Sequence, residues 1–405
     1  MCYTQSRFKA LISACVMSLI ATVAWSQSLT WLGTLPGGTW SEAYGVSADG
    51  TVVVGYATNA AGQRRAFRWE NGVMQYLGTL DGNSIWAYGV SADGAVVVGV
   101  ARNAAGQLRA FRWENGVMQY LGTLGGNWSE AYGVSADGSV VVGYTQNAAG
   151  QRRAFRWTAS DGMEDLGTLG GNDSLANAVS ADGAVVVGGV WNPAGYYRAF
   201  RWTASDGMED LDTQPVGYGG LPYAVSADGA VVVGYAYNVG TGSYRAFRWE
   251  NGVTQDLGTL GGYSYAYGVS ADGAVVVGMA FNAASQPRAF RWTALGGMED
   301  LNTTYASLLT DGSSLVEARA ISPDGRYIVG RGYVPTNRNE AFLLDTWRVG
   351  DTNGDGCVDD ADLMAVLSAF GSAGTGDARH EDINKDGIVD DADLLIVLFN
   401  FGSGC

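Results

Sequence analysis

The sequence predicts an all-β protein, a seven-bladed propeller of four-stranded antiparallel blades, followed by a small all-α domain of duplicated calcium loop and helix. Three observations carry this. First, the motif GVSADG or a close variant recurs, with its aspartate at Asp49, Asp93, Asp137, Asp182, Asp228, Asp272 and Asp324, at intervals of 44, 44, 45, 46, 44 and 52 residues. Second, each unit holds four short runs, AYGVS, VVVGYA, RAFRW and M-x-x-LGTL, rich in Val, Tyr, Phe and Trp and separated by Asp-Gly, Asn-Gly and NAAGQ turns. Such runs are strands, and a lone four-stranded sheet must stack on neighbours to bury both faces. Third, the seventh unit stops after EAFLLDTW, and its missing fourth run opens the repeat region as LTWLGTL, residues 29–35. Seven copies of every strand therefore require the N-terminal strand to complete the last blade, and the closed ring leaves no inner edge exposed. The expected domains are a signal peptide over 1–26, the propeller over 27–348 and the calcium domain over 349–405.

Residues 1–26 read as an export signal. Arg7 and Lys9 precede an apolar stretch too short to span a bilayer comfortably, and Ala24 and Ser26 are small residues where a signal peptidase needs them. The expectation is a secreted protein, extracellular or held at the cell surface, with no transmembrane anchor. Cys2 and Cys15 leave with the signal, so Cys357 and Cys405 remain as a disulfide candidate clasping the last domain. The formal net charge of −16 argues against nucleic acid and anionic membranes as partners. The single histidine, His380, removes most imidazole chemistry and any multi-histidine zinc site.

Residues repeated in every blade are expected to be structural. The seven aspartates should hold hairpin turns, with the following glycine at positive φ. Arg65, Arg109, Arg153, Arg198, Arg245 and Arg288 are expected to pair with those aspartates between blades or to line a surface. Trp69, Trp113, Trp157, Trp202, Trp249 and Trp292 are expected to pack between blades. Ligand binding is expected where the units differ, on the face bearing the longer loops, through Trp40, Trp86, Trp128, Tyr218 and Tyr263, with Tyr265, Tyr196 and Tyr197 nearby. Aromatic planes on an uncharged, glycine-rich rim suit stacking on sugar rings or burial against a protein. The insertion around 305–314 is expected to wall one side of such a site.

The GVSADGSVVVG, RAFRW and LGTLGG segments resemble the extracellular repeat family called HAF, over about three quarters of the chain. That resemblance implies a secreted repeat protein and specifies no activity.

Past residue 349 the composition changes: 12 acids and 2 bases give this segment −10 of the net charge. DTNGDGCVDDAD and DINKDGIVDDAD both fit a calcium loop, with oxygen ligands at positions 1, 3, 5, 9 and 12, a carbonyl at 7 and glycine at 6. The first set is Asp351, Asn353, Asp355, Cys357 by its carbonyl, Asp359 and Asp362. The second is Asp382, Asn384, Asp386, Ile388 by its carbonyl, Asp390 and Asp393. Two Ca2+ ions are expected, because hard oxygen donors at this spacing disfavour transition metals. Each loop feeds one helix, with apolar faces of Leu363, Val366, Leu367 and Phe370, and Leu394, Val397, Leu398 and Phe401. Neither helix is long enough to stand alone, so metal binding should be coupled to folding.

This duplicated loop and helix resembles a type I dockerin, including aspartate at loop position 12. The resemblance implies docking to a cohesin domain, through positions 10 and 11, here Asp360 with Ala361 and Asp391 with Ala392. Identical pairs in both copies imply two binding orientations related by a half turn.

Together these readings give a non-catalytic propeller that binds a glycan or protein, carried by a calcium module that attaches it to a cohesin-like partner or extracellular assembly, otherwise a monomer. No catalytic residue is assigned. One alternative is a polysaccharide-degrading hydrolase or lyase using unrepeated acids such as Glu42, Glu130, Asp173 or Glu317. Another is a structural surface or matrix protein.

Overall fold

The computed structural model describes residues 27–78, 84–191, 197–211, 213, 218–336, 338–353, 357–374, 381–384 and 386–402. The expected signal over 1–26, Tyr196, Asp355, Gly356 and Cys405 lie outside the described residues, as does the side chain of Tyr218. Two compact units are present, one spanning Leu29–Leu344 and one containing Asp345–Cys405.

The first unit is a ring of seven four-stranded sheets. The first strands of the blades are Ser41–Val46, Ile85–Val90, Gly125–Val134, Asp173–Val179, Tyr218–Val225, Gly261–Val269 and Ser314–Ile321. Each touches the first strand of the blade on either side, which places it at the axis. The remaining strands follow outward in chain order. Blade 7 is completed by the N-terminal strand Ser28–Gly33, which pairs with Arg338–Asp345.

The core lies between blades. Phe67, Phe111, Phe155, Phe200, Phe247, Phe290 and Phe342, one per blade from the third strand, are all fully buried. Between blades 2 and 3 they meet second-strand valines from both sheets: Val96, Val98 and Ala110 pack against Ala131, Val141, Phe155 and Trp157. The repeated tryptophans are thus packing residues, with Trp157, Trp202 and Trp292 themselves buried. The insertion is anchored in the core by its first residue, Tyr305, and exposes Ala306, Ser307 and residues 310–312. A helical turn at Leu301–Thr304 and a 3-10 turn at Ala306–Leu308 fold it down, and Tyr305 joins Leu301, Leu315 and Phe342 in the core between blades 6 and 7.

The turn opposite the long loops shows why SADG is repeated. In blade 3, Ser135 Oγ donates to Asp137 Oδ1 at 2.6 Å, Ser139 N donates to the same oxygen, and Val140 N donates to Ser135 Oγ. Gly138 sits at φ 74°, and a Cβ there would lie 2.5 Å from Val96 of blade 2, so glycine is required twice over. A circular chain of backbone bonds links these turns. Ala48 N donates to Ala92 O, Ala92 to Ala136, Ala136 to Ala181, Ala181 to Ala227, Ala227 to Ala271, and Ala271 to Pro323. The seventh link, from Pro323 to blade 1, cannot form because proline has no N–H.

The arginine that reaches the turn of the next blade is the second of RAFRW. Arg68, Arg112, Arg156, Arg201 and Arg248 donate through Nε to the turn glycine carbonyls of the next blade, Gly94, Gly138, Gly183, Gly229 and Gly273, at 3.0–3.3 Å. The first arginine pairs within its blade, Arg153, Arg198 and Arg288 with Asp165, Asp210 and Asp300 of the fourth strand, and Arg109 and Arg153 also donate to the backbone carbonyls of Asn127 and Asn172 in the next blade. Expected pairing with the turn aspartates is therefore corrected. The turn carboxylates are already satisfied by serine and backbone donors on the opposite face.

Those donors hold the carboxyls of Asp93, Asp137, Asp182 and Asp228 below the ordinary aspartate value, the serine hydroxyl contributing most and the backbone N–H next. A folded-state pKa below the unfolded value gives stability that is present above about pH 3.9 and lost as pH falls through the folded value. The propeller should hold its melting temperature from neutrality to about pH 4 and lose it steeply below. Thermal melts should show that acid limb flattened in a variant with Asp93, Asp137, Asp182 and Asp228 changed to Asn; an unchanged limb would place the proton uptake elsewhere.

In the second unit, helices α1 (Asp360–Ala369) and α2 (Asp391–Asn400) pack around Val358, Val366, Ile383, Val389 and Val397. The halves are exchanged symmetrically. Gly371 N, after α1, donates to Val389 O of the second loop, and Gly402 N, after α2, donates to Val358 O of the first, both at 2.8 Å. The expected apolar faces divide. Val366 and Val397 are buried and Leu363 and Leu394 half-buried, but Leu367, Phe370, Leu398 and Phe401 are exposed. Each ten-residue helix fully buries one central valine, with Leu363 and Ala369 or Leu394 and Ile396 packed against it, and the outer half of each stripe faces away from the core.

Candidate functional site

Every first strand carries a β-bulge at the same place, read from register shifts between Ala43/Gly45, Ala87/Gly89, Ala131/Gly133, Ala176/Ala178, Pro222/Ala224, Ala266/Gly268 and Ala318/Ala320. A bulge leaves one residue out of the ladder and re-aims its side chain. The residues so placed are Tyr44, Tyr88, Tyr132, Asn177, Tyr223, Tyr267 and Arg319. The opposing second-strand glycine is obligatory: a Cβ on Gly55, Gly143 or Gly278 would lie 2.0 Å from a first-strand carbonyl.

These bulged residues meet around the axis. Tyr44 and Tyr88 stand edge to face at 5.3 Å, Tyr88 stacks on Tyr132 at 4.9 Å, and Tyr223 meets Tyr267 at 5.3 Å. Arg319 closes the gap between Tyr267 and Tyr44, its guanidinium 4.6 Å and 5.2 Å from their centroids. Asn177 instead reaches the backbone, donating to Pro222 O at 2.7 Å. Burial raises the tyrosine hydroxyls, Tyr144 and Tyr265 to about 12 and Tyr88 further, so all stay protonated near neutrality and act as donors.

Beside the ring lies a layer of cross-strand pairs in which the units differ most: Glu42–Tyr56, Trp86–Val100, Glu130–Tyr144, Leu175–Gly189, Leu221–Tyr235, Tyr265–Met279 and Glu317–Arg331. At the seam of blades 7 and 1 this layer forms a charge network. Arg319 Nε donates to Glu42 Oε1 at 3.0 Å, Arg319 Nη2 lies 2.5 Å from Glu317 Oε2, and Arg331 also pairs with Glu317. Tyr56 OH donates to Glu42 Oε2 at 3.2 Å. Glu42 and Glu317 are only 3% and 5% exposed. The structure thus unites two of the four acids weighed as catalytic groups, but holds both in ion pairs. Asp173 caps the neighbouring blade, accepting from Arg152 N at 2.8 Å.

The expected aromatics lie at the outer end of this layer and mostly in strands rather than loops. Trp86, Trp128 and Tyr263 belong to extended first strands, and Trp40 forms an isolated bridge to Asn339. Trp40, Trp86, Trp128 and Tyr265 are half-buried, whereas Tyr263 is exposed. Trp128 contacts Tyr144, and on blades 5 and 6 Tyr244 links Tyr235 and Tyr265 to Tyr237 and Tyr263. A track of rings therefore runs from the axis to the rim. Sequence reasoning found its outer members and missed Tyr44, Tyr88, Tyr132, Tyr223 and Tyr267; the signal was the AYGVS run itself, where unit 4 reads Asn and unit 7 Arg.

In the second unit the two loops are built alike. Asp362 Oδ1 accepts from Thr352 N and Asn353 N, and Asp393 Oδ1 accepts from Ile383 N and Asn384 N. The second oxygen of each accepts from Asp359 N or Asp390 N, closing a capping box at the helix start. Asp351, Asp362, Asp382 and Asp393 are buried, and burial raises the Asp393 carboxyl, with Asp382 adding to the rise. Among the described residues no three His, Cys, Asp or Glu converge as a metal group. The loops' donor set includes asparagine and carbonyl oxygens, and buried acids at positions 1 and 12 of both loops suit a hard cation. Asp360, Ala361 and Asp391 are exposed and Ala392 half-buried, all in the first turn of their helices. Cys357 is disulfide-bonded, and Cys405, its expected partner, lies outside the described residues. No described helix is long and apolar enough to cross a membrane.

No known family model and no curated protein matches the sequence. Solved structures similar to it include an oligogalacturonate lyase in complex with manganese, at 13% identity and TM-score 0.53, covering 78% of this chain and 92% of that one. A puromycin-hydrolyzing peptidase of Mycobacterium tuberculosis matches at 15% identity and TM-score 0.52, covering 77% of this chain and 54% of that one. TolB from Acinetobacter baumannii matches at 12% identity and TM-score 0.44, covering 74% and 64%. The chain spans about half the length of the peptidase and less than two thirds of TolB. At such identities the likeness to the lyase and the peptidase is one of architecture, and together with the seven closed sheets it makes this chain a seven-bladed β-propeller with a small helical unit after it.

Proposed function

We propose that the protein is a secreted, non-catalytic binding propeller of the HAF type that recognises a glycan at its long-loop face. A dockerin-like module holding two Ca2+ attaches it to a cohesin-type partner or extracellular assembly. The observation that carries the glycan reading is the division of the blade. The turn side repeats almost unchanged from unit to unit, whereas the axial layer varies and is lined by tyrosine, tryptophan and their hydroxyls. Rings with a polar edge stack on the C–H faces of sugars and bond their hydroxyls. Among the described residues, Glu42 and Glu317 are consumed by Arg319 and Arg331, which weighs against carboxylate-pair catalysis there.

In the module, Asp351, Asn353, Asp355, Asp359 and Asp362, with the Cys357 carbonyl, would hold one ion. Asp382, Asn384, Asp386, Asp390 and Asp393, with the Ile388 carbonyl, would hold the other. The exchange of Gly371 and Gly402 bonds relates the halves, as two equivalent docking faces at Asp360–Ala361 and Asp391–Ala392 require. The glycan reading is tested by retention of the full chain on immobilised polysaccharides beside a variant with Trp40, Trp86 and Trp128 changed to alanine. Saturable retention of the native chain, about tenfold or more weaker in the folded variant, is expected, because three lost stacking contacts at about 0.5–1.5 kcal/mol each remove about 1.5 kcal/mol or more. Absence of retention on every glycan would move the search to protein ligands.

A further inference from the structure

We infer that the junction of blades 2 and 3 carries a subsite for a protonated amine, centred on the Glu130 carboxylate, so that the glycan recognised at this face is an amino-sugar polymer. The inference rests on the glycan reading above and specifies it. Glu42, Glu130 and Glu317 occupy the same position of the unit, the first member of the variable cross-strand pair. Glu42 is neutralised by Arg319 and Arg331 of the preceding blade, and Glu317 by the same two arginines from its own blade. For Glu130 the corresponding residues of the preceding blade are Tyr88 and Val100, and those of its own blade are Tyr132 and Tyr144. Both sources of cation are thus replaced, and among the described residues Glu130 has no ion-pair partner.

What surrounds it instead is aromatic. Tyr132 OH donates to Glu130 Oε2 at 2.8 Å. Tyr88 stacks on Tyr132, Tyr132 on Tyr144 at 5.5 Å, and Trp128 stands edge to face with Tyr144 at 5.1 Å. Arg152 lies over the Trp128 ring, 5.8 Å from its centroid, and makes no ion pair with Glu130. A half-buried carboxylate with no paired cation, bonded by a tyrosine hydroxyl and set among stacked rings that exclude water, attracts a cation by its charge. An ammonium group on a sugar supplies that cation and keeps hydroxyls for the tyrosine edges, while the ring of the sugar lies against Trp128.

The test uses the full chain in calcium, with soluble chitosan oligomers and N-acetylated chitin oligomers of equal length as probes, at physiological ionic strength and below the amine pKa. We expect the deacetylated oligomer to bind about tenfold tighter than the acetylated one, and E130Q to remove that difference. E114Q, which removes an exposed carboxylate paired with Arg112, should keep it. V100R places beside Glu130 the arginine found here in blade 7 and should abolish the amine preference; because Val100 is buried, binding is compared at a temperature where circular dichroism shows the variant folded. Equal binding of the two oligomers would overturn the amine subsite and leave the glycan reading standing. Equal losses in E130Q and E114Q would reduce the effect to the attraction of a polycation for a chain of net charge −16, and also overturn it. Binding of neither oligomer, nor of any glycan, would overturn both readings.

Discussion

Changing Arg319 to methionine should destabilise the propeller by about 3–5 kcal/mol, because it leaves two buried carboxylates without their shared cation. Glu42 and Glu317 sit at the junction where the N-terminal strand closes the ring, and Arg319 bonds both. Arg331 remains close to Glu317 but is 3.9 Å from Glu42, too far to replace the 3.0 Å bond that Arg319 makes. This junction also lacks the turn-to-turn backbone bond that the other six possess, since Pro323 cannot donate. The charge network therefore stands where the repeated links are incomplete. Denaturant unfolding of the full chain, followed by tryptophan emission in constant calcium, measures the loss. Adding E42Q and E317Q to the same chain should recover part of it, since neutral amides need no counter-ion. A single variant within about 1 kcal/mol of the native chain would show the network to be solvent-screened and dispensable.

Arg319 also marks the limit of what the sequence discloses. Blade number, strand order and the role of the N-terminal strand were legible because each is local or periodic: Asp-Gly turns, short β-branched runs, and one missing run at the end matched by one at the start. The role of the turn aspartates was legible for the same reason, because Asp137 and its serine are two residues apart. The axial ring was not. A bulge is a property of pairing between strands, and no feature of AYGVS taken alone says that its tyrosine leaves the ladder. Nor does sequence say which of the two arginines in RAFRW reaches the turn glycine of the next blade, since alternate residues face opposite sides and the choice depends on register. The bond between Arg319 and Glu42 joins residues 277 apart. In the helical unit, periodicity named Leu367 and Leu398 with the apolar faces, but the core buries Val366 and Val397, with Leu363, Ala369, Leu394 and Ile396 packed against them, and leaves those two leucines exposed.

Withdrawal of calcium should unfold the second unit and spare the first. Each loop places buried aspartates at positions 1 and 12, and the carboxylates of Asp362, Asp382 and Asp393 accept from backbone N–H groups of the loop itself. Without a divalent ion the loops carry mutual repulsion, and burial already pushes the Asp393 carboxyl up with Asp382 adding to it. The apolar cluster opposing that repulsion is small, and neither ten-residue helix is stable in isolation. Folding and binding are then one equilibrium, because the ligand oxygens are brought together only when the loops fold. The propeller should be spared, because its cohesion comes from the buried Phe and Val layers between blades. Limited proteolysis of the full chain in chelator should cut within 349–405 and leave a resistant fragment of propeller size, while added calcium restores protection. D362N and D393N should each raise the calcium needed for protection by about tenfold or more, and by similar factors, because Gly371 and Gly402 make each loop brace the helix of the other. Protection of 349–405 that persists in chelator would mean that the acidic loops are neutralised by something other than the metal. The calcium assignment would then fall together with the docking role proposed from it.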